Sequence, residues 1–184
     1  MAEEVILVDR NDQQIGLMEK IKAHEEGLLH RAFSVVVFND KQEMLIHQRA
    51  KSKYHCGGLW TNACCSHPRE NESTIDAANR RLVEEMGFSA PLNYVEAFIY
   101  KVSFENGLTE HEYDHVFVAR YNNKPNPNPD EVENYKYIAI DELKKDVAEN
   151  PEKYTFWFKE IINSRLTKIL NKLTYDESLQ KNDI

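Results

Sequence analysis

The sequence predicts an α+β fold, a mixed β-sheet flanked by helices, and three features predict it. Runs rich in β-branched and aromatic residues recur along the chain, the strongest being HRAFSVVVFN at 30–39. Two long runs of the same kind, 94–104 and 108–121, are joined through Asn106 and Gly107, a strong hairpin signal. Two other stretches, 73–86 and 155–173, carry apolar residues at helical spacing. A chain of 184 residues suffices for one domain with its own core, so we expect a single domain over 1–184 with a loose tail over 175–184.

Each element has a local reason. VILVD at 5–9 reads as a strand, 10–14 as a turn, 15–19 as a short return strand, and 20–26 as polar with weak helical character. The central run at 30–39 turns at Asp40 and Lys41, and 44–49 pairs back. A loop with basic residues and two glycines follows at 51–58, then a short extended piece at 60–64. After a turn at 70–72, Ser73 is a good N-cap, with Asp76 three residues on approximating a capping box. Ile75, Ala78, Leu82 and Met86 then fall on one helical face, and Gly87 sits where a left-handed C-cap belongs. NNKPNPNP at 122–129 is a proline-broken loop, 134–140 a strand, and 141–149 a short helix ended before Pro151. The last helix, 155–173, shows a broad apolar face from Phe156 to Leu173.

Composition excludes some functions. A net charge of −8 argues against a nucleic-acid backbone as partner, while leaving room for a local basic pocket that takes a small anion. No signal peptide and no bilayer-length apolar run are visible, so a membrane role is not expected. Three cysteines cannot all pair within the chain, which fits a reducing cytoplasm and free, catalytic or buried thiols. Nothing calls for an obligate partner: a monomer is expected, and a dimer is compatible with the sequence.

The chemistry gathers in 60–88, WTNACCSHPRENESTIDAANRRLVEEMGF, and on the later strand TEHEYDHVF. In an extended piece Cys64 and Cys65 point to opposite faces, and Cys65 shares parity with His67. Glu110 and Glu112 are two apart on a strand and share a face. With His24, His30 and His67 they make a plausible octahedral N/O site for Mn, Mg or Zn. The plainer reading makes the histidines strand-end residues and the glutamates a solvated face. His47 and His55 sit among charges without an evident role. Arg80 and Arg81 are either a solvated helix edge or, with Arg49 and Lys53, a diphosphate clamp. Arg81 and Glu85, four apart, share a helix edge, while Tyr100 and Trp157 are by default core aromatics.

The stretch 67–88 resembles the Nudix box, G-x5-E-x7-R-E-U-x-E-E-x-G-U, at Glu72, Arg80, Leu82, Glu84, Glu85 and Gly87. It departs at Ser66 for the first Gly, Arg81 for the first Glu of R-E, and Phe88 at the end. More closely, and over nearly the whole chain, the sequence is similar to the type I isopentenyl-diphosphate isomerases, which are Nudix-fold enzymes but not hydrolases. HRAFSVVVF, QRAKSK, TNACCSHP, NRRLVEEMGF and TEHEYDHVF carry the likeness. The loop at His55, Cys56 and Gly57 departs from it, since an aromatic and a proline are common there.

That resemblance implies a Nudix-like mixed sheet and isomerisation of isopentenyl to dimethylallyl diphosphate, a step of isoprene biosynthesis. It makes Cys65 and Glu112 the catalytic pair, with Tyr100 as relay. It implies metal ligation by His24, His30, His67, Glu110 and Glu112, and a second site for a substrate-linked Mg2+ at Glu85. It implies diphosphate binding by Arg49, Lys53 and Arg81, with Trp157 in the pocket. Nudix hydrolysis of a nucleotide or other diphosphate is the alternative, and a metal-binding module without turnover the third. Arg81 and the Cys65 thiol argue against hydrolysis.

Overall fold

The protein is described by a computed structural model over residues 3–182, with side chains to residue 174. Among these residues nine strands form one mixed sheet between two helical layers. β1 (Glu4–Val8) and β2 (Gln14–Glu19) form an antiparallel ribbon leading into α1 (Lys20–Glu26). The Glu19 side chain caps α1 by accepting from the backbone of Ile21 and Lys22, which turns the weakly helical 20–26 into a true helix. β3 (His30–Phe38) is the axis of the sheet, and all of it except Arg31 is buried. It pairs antiparallel with β4 (Glu43–Arg49) at one end and with β6 (Cys64–Ser66) further back, after the short β5 (Trp60–Thr61). Along its other edge it runs parallel to β8 (Thr109–Arg120), whose hairpin partner is β7 (Asn93–Ser103). β9 (Val132–Ala139) closes on β4.

The helices cover opposite faces. α2 (Thr74–Met86) lies over Phe33, Val35, Val37 and Phe117. Leu82 and Met86 are fully buried there, each contributing roughly 1.5–3 kcal/mol. Ser73 caps α2 by accepting from the Asp76 amide, and Gly87 ends it at φ 73°. A Cβ at Gly87 would run into the backbone of Asn126, because the 122–129 loop is bonded to the helix end through Asn126 N to Met86 O (3.1 Å) and Asn128 N to Glu85 O (2.9 Å). α3 (Ile140–Glu149), α4 (Phe156–Glu160) and α5 (Leu166–Asn182) pack on the other face, against Val36, Phe38, Ile46 and Val116.

Three local expectations are corrected. Ile75 is 40% exposed, and Ala77 takes its place in the core, because the buried arc of α2 is centred on the Ala77–Ala78 side. The single extended piece at 60–64 is two short strands, interrupted where the buried Asn62 amide donates to the Val35 and Cys64 carbonyls. The helix expected at 155–173 contains a π-helical turn, Ile161–Arg165, that re-phases it so that Ile161, Ile162, Leu166, Ile169 and Leu173 all reach the core. The backbone of α5 continues to Asn182, and the rest of the tail expected over 175–184 lies outside the described residues. No helix among the described residues is long and apolar enough to cross a membrane.

His47, on β4, is buried, and burial followed by the nearby Arg49 charge pushes its imidazole down to about 3. The unfolded chain binds a proton at His47 below about 6.5 while the folded chain refuses it, so acidification between these values destabilises the fold. We expect the urea midpoint to fall less between pH 7 and pH 5 in His47→Gln than in the wild type; equal falls would show that His47 carries none of the acid sensitivity.

Candidate active site

Strand register sets the site. Parallel pairing places His30 beside Glu112, antiparallel pairing places Tyr100 across from Glu112, and Cys65 pairs with Ser34, two residues along from Ala32 and four from His30. His30, Cys65, Tyr100, Glu110 and Glu112 therefore share one face. Cys64 pairs with Val35 and is fully buried under α2 on the other face, as parity predicts. His111 and His115 also lie off this face, bonded to the Gly27 carbonyl and to Asp12.

At the bottom of the site, ligand atoms of His24, His30, His67, Glu110 and Glu112 lie within 4.8 Å of one another, and all five residues are buried. His24 Nδ1 and His30 Nδ1 donate to the carbonyls of Lys20 (2.6 Å) and Leu28 (2.8 Å), which turns each Nε2 toward the cluster; burial opposes a charge on His24, but its contact with Glu110 raises its pKa. His30 Nε2 is buried with no hydrogen-bond partner, 4.0 Å from Glu110 and 3.7 Å from Glu112. Burial pushes His67 down to about 4 despite its 2.9 Å contact with Glu112 Oε1. Burial opposes ionisation of Glu110, yet its contacts with His24 (3.1 Å) and His55 hold the carboxyl well below the usual range. Imidazole lone pairs and two carboxylates packed this closely suit a divalent cation.

Above the cluster opens a cavity of about 210 Å³. Arg49, Lys53, Arg81 and Lys20 are its basic lining, and Lys53 and Arg81 gather with Glu85 and Glu131 into one group, its basic end. Arg81 Nη2 contacts Glu85 Oε1 (2.7 Å) and Glu131 Oε1 (3.0 Å), and Lys53 pairs with Glu131 Oε2. Cys65, Tyr100 and Trp157 line the cavity as well, with Arg49 beside them. Tyr100 OH donates to Glu112 Oε2 at 2.7 Å, and Trp157 Nε1 donates to Thr61 Oγ1 at 3.0 Å. Burial pushes the Cys65 thiol up to about 12 against the pull of Arg49, whose Nη1 is 3.9 Å from the sulfur. The Arg49 guanidinium also sits 5.4 Å from the Trp157 ring. Every site residue expected from sequence thus lines this cavity or the cluster beneath it.

The structure adds four residues. His55 Nε2 lies 2.5 Å from Glu110 Oε1, with its ring stacked on Phe104 at 5.1 Å. Glu131 reaches the basic end from the 122–131 segment, and Asp114 is buried two residues beyond Glu112, accepting from Ser34 Oγ at 2.9 Å. Lys20 had a legible signal, since it lies one helical turn before His24. His55 and Glu131 had none, because loop conformation alone brings them in.

Of the carboxylates on and before α2, Glu72 is held by Arg80 through both oxygens (2.7 and 2.8 Å). Glu84 faces Arg80 and Arg81 at 3.3 and 2.8 Å. Only Glu85 turns into the cavity.

Comparison with known proteins agrees with this geometry. Residues 28–158 match the NUDIX domain. The chain is 48% identical to isopentenyl-diphosphate Delta-isomerase 2 of Aromatoleum aromaticum, over 85% of this chain and 83% of that protein. It is 49% identical to isopentenyl-diphosphate Delta-isomerase 2 of Photorhabdus laumondii, over 89% and 92%, and 45% identical to the isopentenyl-diphosphate Delta-isomerase of Burkholderia multivorans, over 94% and 98%. The solved structure of DR0079 from Deinococcus radiodurans shares the fold, with a TM-score of 0.73 at 17% identity over 87% of this chain and 97% of that one.

His55 gives the site a test that does not depend on turnover. It holds one oxygen of Glu110, leaving the other for the cluster. Removing such an outer partner commonly costs about 10–100-fold in metal affinity. We expect that loss for Mn2+ or Zn2+ in His55→Ala, measured by competition with a chelator, and partial recovery in His55→Gln, which keeps an N–H donor. Unchanged affinity in both variants would reduce His55 to packing.

Proposed function

Because the chain belongs to the NUDIX domain family and, within it, to the isopentenyl-diphosphate Delta-isomerases, we propose that it interconverts isopentenyl and dimethylallyl diphosphate, supplying isoprenoid precursors. The supporting observation is one cavity whose lining joins the Lys53 and Arg81 group to Cys65, Tyr100 and Trp157 through Arg49, above the face that carries Glu112. A diphosphate is held by ionic hydrogen bonds to Arg49, Lys53 and Arg81, which fixes the hydrocarbon beside Cys65 and Trp157.

The reaction moves a double bond without redox change. One proton adds to the terminal alkene carbon, the π electrons form the new C–H bond, and a tertiary carbocation remains. A second proton leaves the neighbouring methylene, and its C–H electrons become the new double bond. An acid and a base therefore have to face the substrate. Cys65 Sγ and the Glu112 carboxylate take these roles, and reversal of the reaction exchanges them. Tyr100 OH, on Glu112 Oε2, orients that oxygen and relays its proton. The indole of Trp157 faces the cation, a contact worth on the order of 2 kcal/mol when desolvated.

A divalent ion, Mn2+, Zn2+ or Mg2+, bound by His24, His30, His67, Glu110 and Glu112 would fix Glu112 and offset the buried negative charge. Glu85 would hold a Mg2+ shared with the diphosphate. All of these residues come from one chain, so a monomer is sufficient, and three free thiols suit a reducing compartment such as the cytoplasm.

The Arg80 and Arg81 contacts speak against hydrolysis. Activating water at a diphosphate takes several carboxylates around metal, and here both arginines engage them. We expect purified protein given isopentenyl diphosphate and Mg2+ to form dimethylallyl diphosphate without releasing phosphate; phosphate release with no isomer would sink the isomerase assignment. Arg81→Glu should weaken substrate binding more than it introduces hydrolysis. Cys65→Ala and Cys65→Ser should fold yet lose roughly 10²-fold or more in turnover, while Cys64→Ala keeps most of it. Near wild-type turnover in Cys65→Ala would move the acid–base role to another residue.

A further inference from the structure

Glu131 stands where the proposed chemistry does not ask for it. Its backbone is fastened on both sides: the amide donates to the Asn128 carbonyl (3.0 Å) and the carbonyl accepts from Ala50 N (3.0 Å). Asn128 N in turn donates to Glu85 O (2.9 Å), at the end of α2. The loop thus delivers the Glu131 carboxylate between two bases carried by different elements, Lys53 on the loop after β4 and Arg81 on α2. Arg81 Nη2 is shared between Glu131 Oε1 (3.0 Å) and Glu85 Oε1 (2.7 Å). Burial works against ionising Glu131, and its contacts with Lys53 and Arg81 override it.

This arrangement is poorly matched to a diphosphate by itself. Donors on Lys53 and Arg81 are already engaged by carboxylate oxygens, and an incoming polyanion meets the Glu131 carboxylate a few ångströms away. Like charges that close, only partly exposed to water, repel strongly. Either the carboxylate yields its place or a cation compensates it.

We propose that Glu131 is a resident counter-anion of the cradle: in the substrate-free protein it occupies the place between Lys53 and Arg81 that a diphosphate takes, and Mg2+ lifts the resulting competition. This rests on the reading of the basic end as the diphosphate site. It makes the cradle selective for the metal-complexed form of a diphosphate over the free anion. The bases also remain neutralised while the cavity is empty, which avoids burying uncompensated charge.

The competing role for Glu131 is a clamp that holds Lys53 and Arg81 in position, and the two roles differ in sign. A clamp, once neutralised, weakens anion binding; a counter-anion, once neutralised, strengthens it when no metal is present. The experiment is calorimetric titration of the whole protein with inorganic pyrophosphate, in EDTA and in excess Mg2+, for wild type, Glu131→Gln and Glu131→Ala. Circular dichroism checks that each variant folds, and either variant alone suffices. We expect the wild type to bind pyrophosphate well only with Mg2+. We expect the variants to bind about tenfold tighter than wild type in EDTA, narrowing the gap between the two conditions by a similar factor. Variants that bind no better than wild type in EDTA overturn the proposal while leaving the diphosphate site intact. Wild-type binding that is equal with and without Mg2+ overturns it as well. No binding by the wild type in either condition removes the diphosphate reading itself, and this proposal with it.

Discussion

The parallel pairing of β3 with β8 is the constraint on which the site depends. It sets His30 against Glu112 and Ser34 against Val116, and strand parity carries the consequence sideways through β6 to Cys65 and through β7 to Tyr100. A one-residue slip would turn Glu110 and Glu112 to the α2 face and leave His30 alone. The sheet resists that slip because the same register sends Phe33, Val35 and Val37 beneath α2 and Val36 and Phe38 beneath α4 and its neighbours. Apolar burial on both faces thus holds in place a polar constellation that contributes little to folding and costs desolvation.

That cost is concentrated. Glu110, Glu112 and Asp114 are successive same-face residues of one strand, and all three are buried. The protein spreads the charge among partners: His24 and His55 on Glu110, His67 and Tyr100 on Glu112, Ser34 on Asp114. Burial and the Glu112 charge hold Asp114 well above the usual carboxylate range, while histidine contacts draw Glu110 and Glu112 below it, so the third carboxyl resists ionisation most. A low-dielectric strand face accepts two negative charges beside histidines and refuses a third.

The legible parts of the fold and site were those governed by period and local capping. Period two separated Cys65 from Cys64 and joined Glu110 to Glu112; period 3.6 placed Arg81 beside Glu85; Ser73 and Gly87 marked the ends of α2 where they are found. What escaped depends on tertiary geometry. Ile75 was misplaced because the buried arc of a helix is decided by what covers it, and α2 presents alanines to its strands. The π turn at Ile161–Arg165 leaves the apolar pattern nearly helical and so gave no warning. His55 and Glu131 enter through loops, where no periodicity says which way a side chain points. His55 fell within a loop where the sequence departs from the type I isomerase pattern, and that departure marks the loop without saying which way the imidazole points.

The helix that supplies the family motif shows how one fold changes chemistry without changing shape. A carboxylate needs to be free to hold metal and water, and here Arg80 takes Glu72 by both oxygens while Arg80 and Arg81 divide Glu84. Glu85 alone faces the cavity, and even it shares Arg81 with Glu131. Each arginine turns a potential metal ligand into an ion-pair partner, part-buried at Glu72 and exposed at Glu84. What remains at the helix has few free carboxylate oxygens with which to orient water, and in the proposed function it serves to grip phosphate. Cys65, the Tyr100–Glu112 pair and Trp157 line the same cavity from the strand and helix side. In the proposed reaction these groups do the bond making, and the diphosphate serves to position a hydrocarbon and is itself left intact.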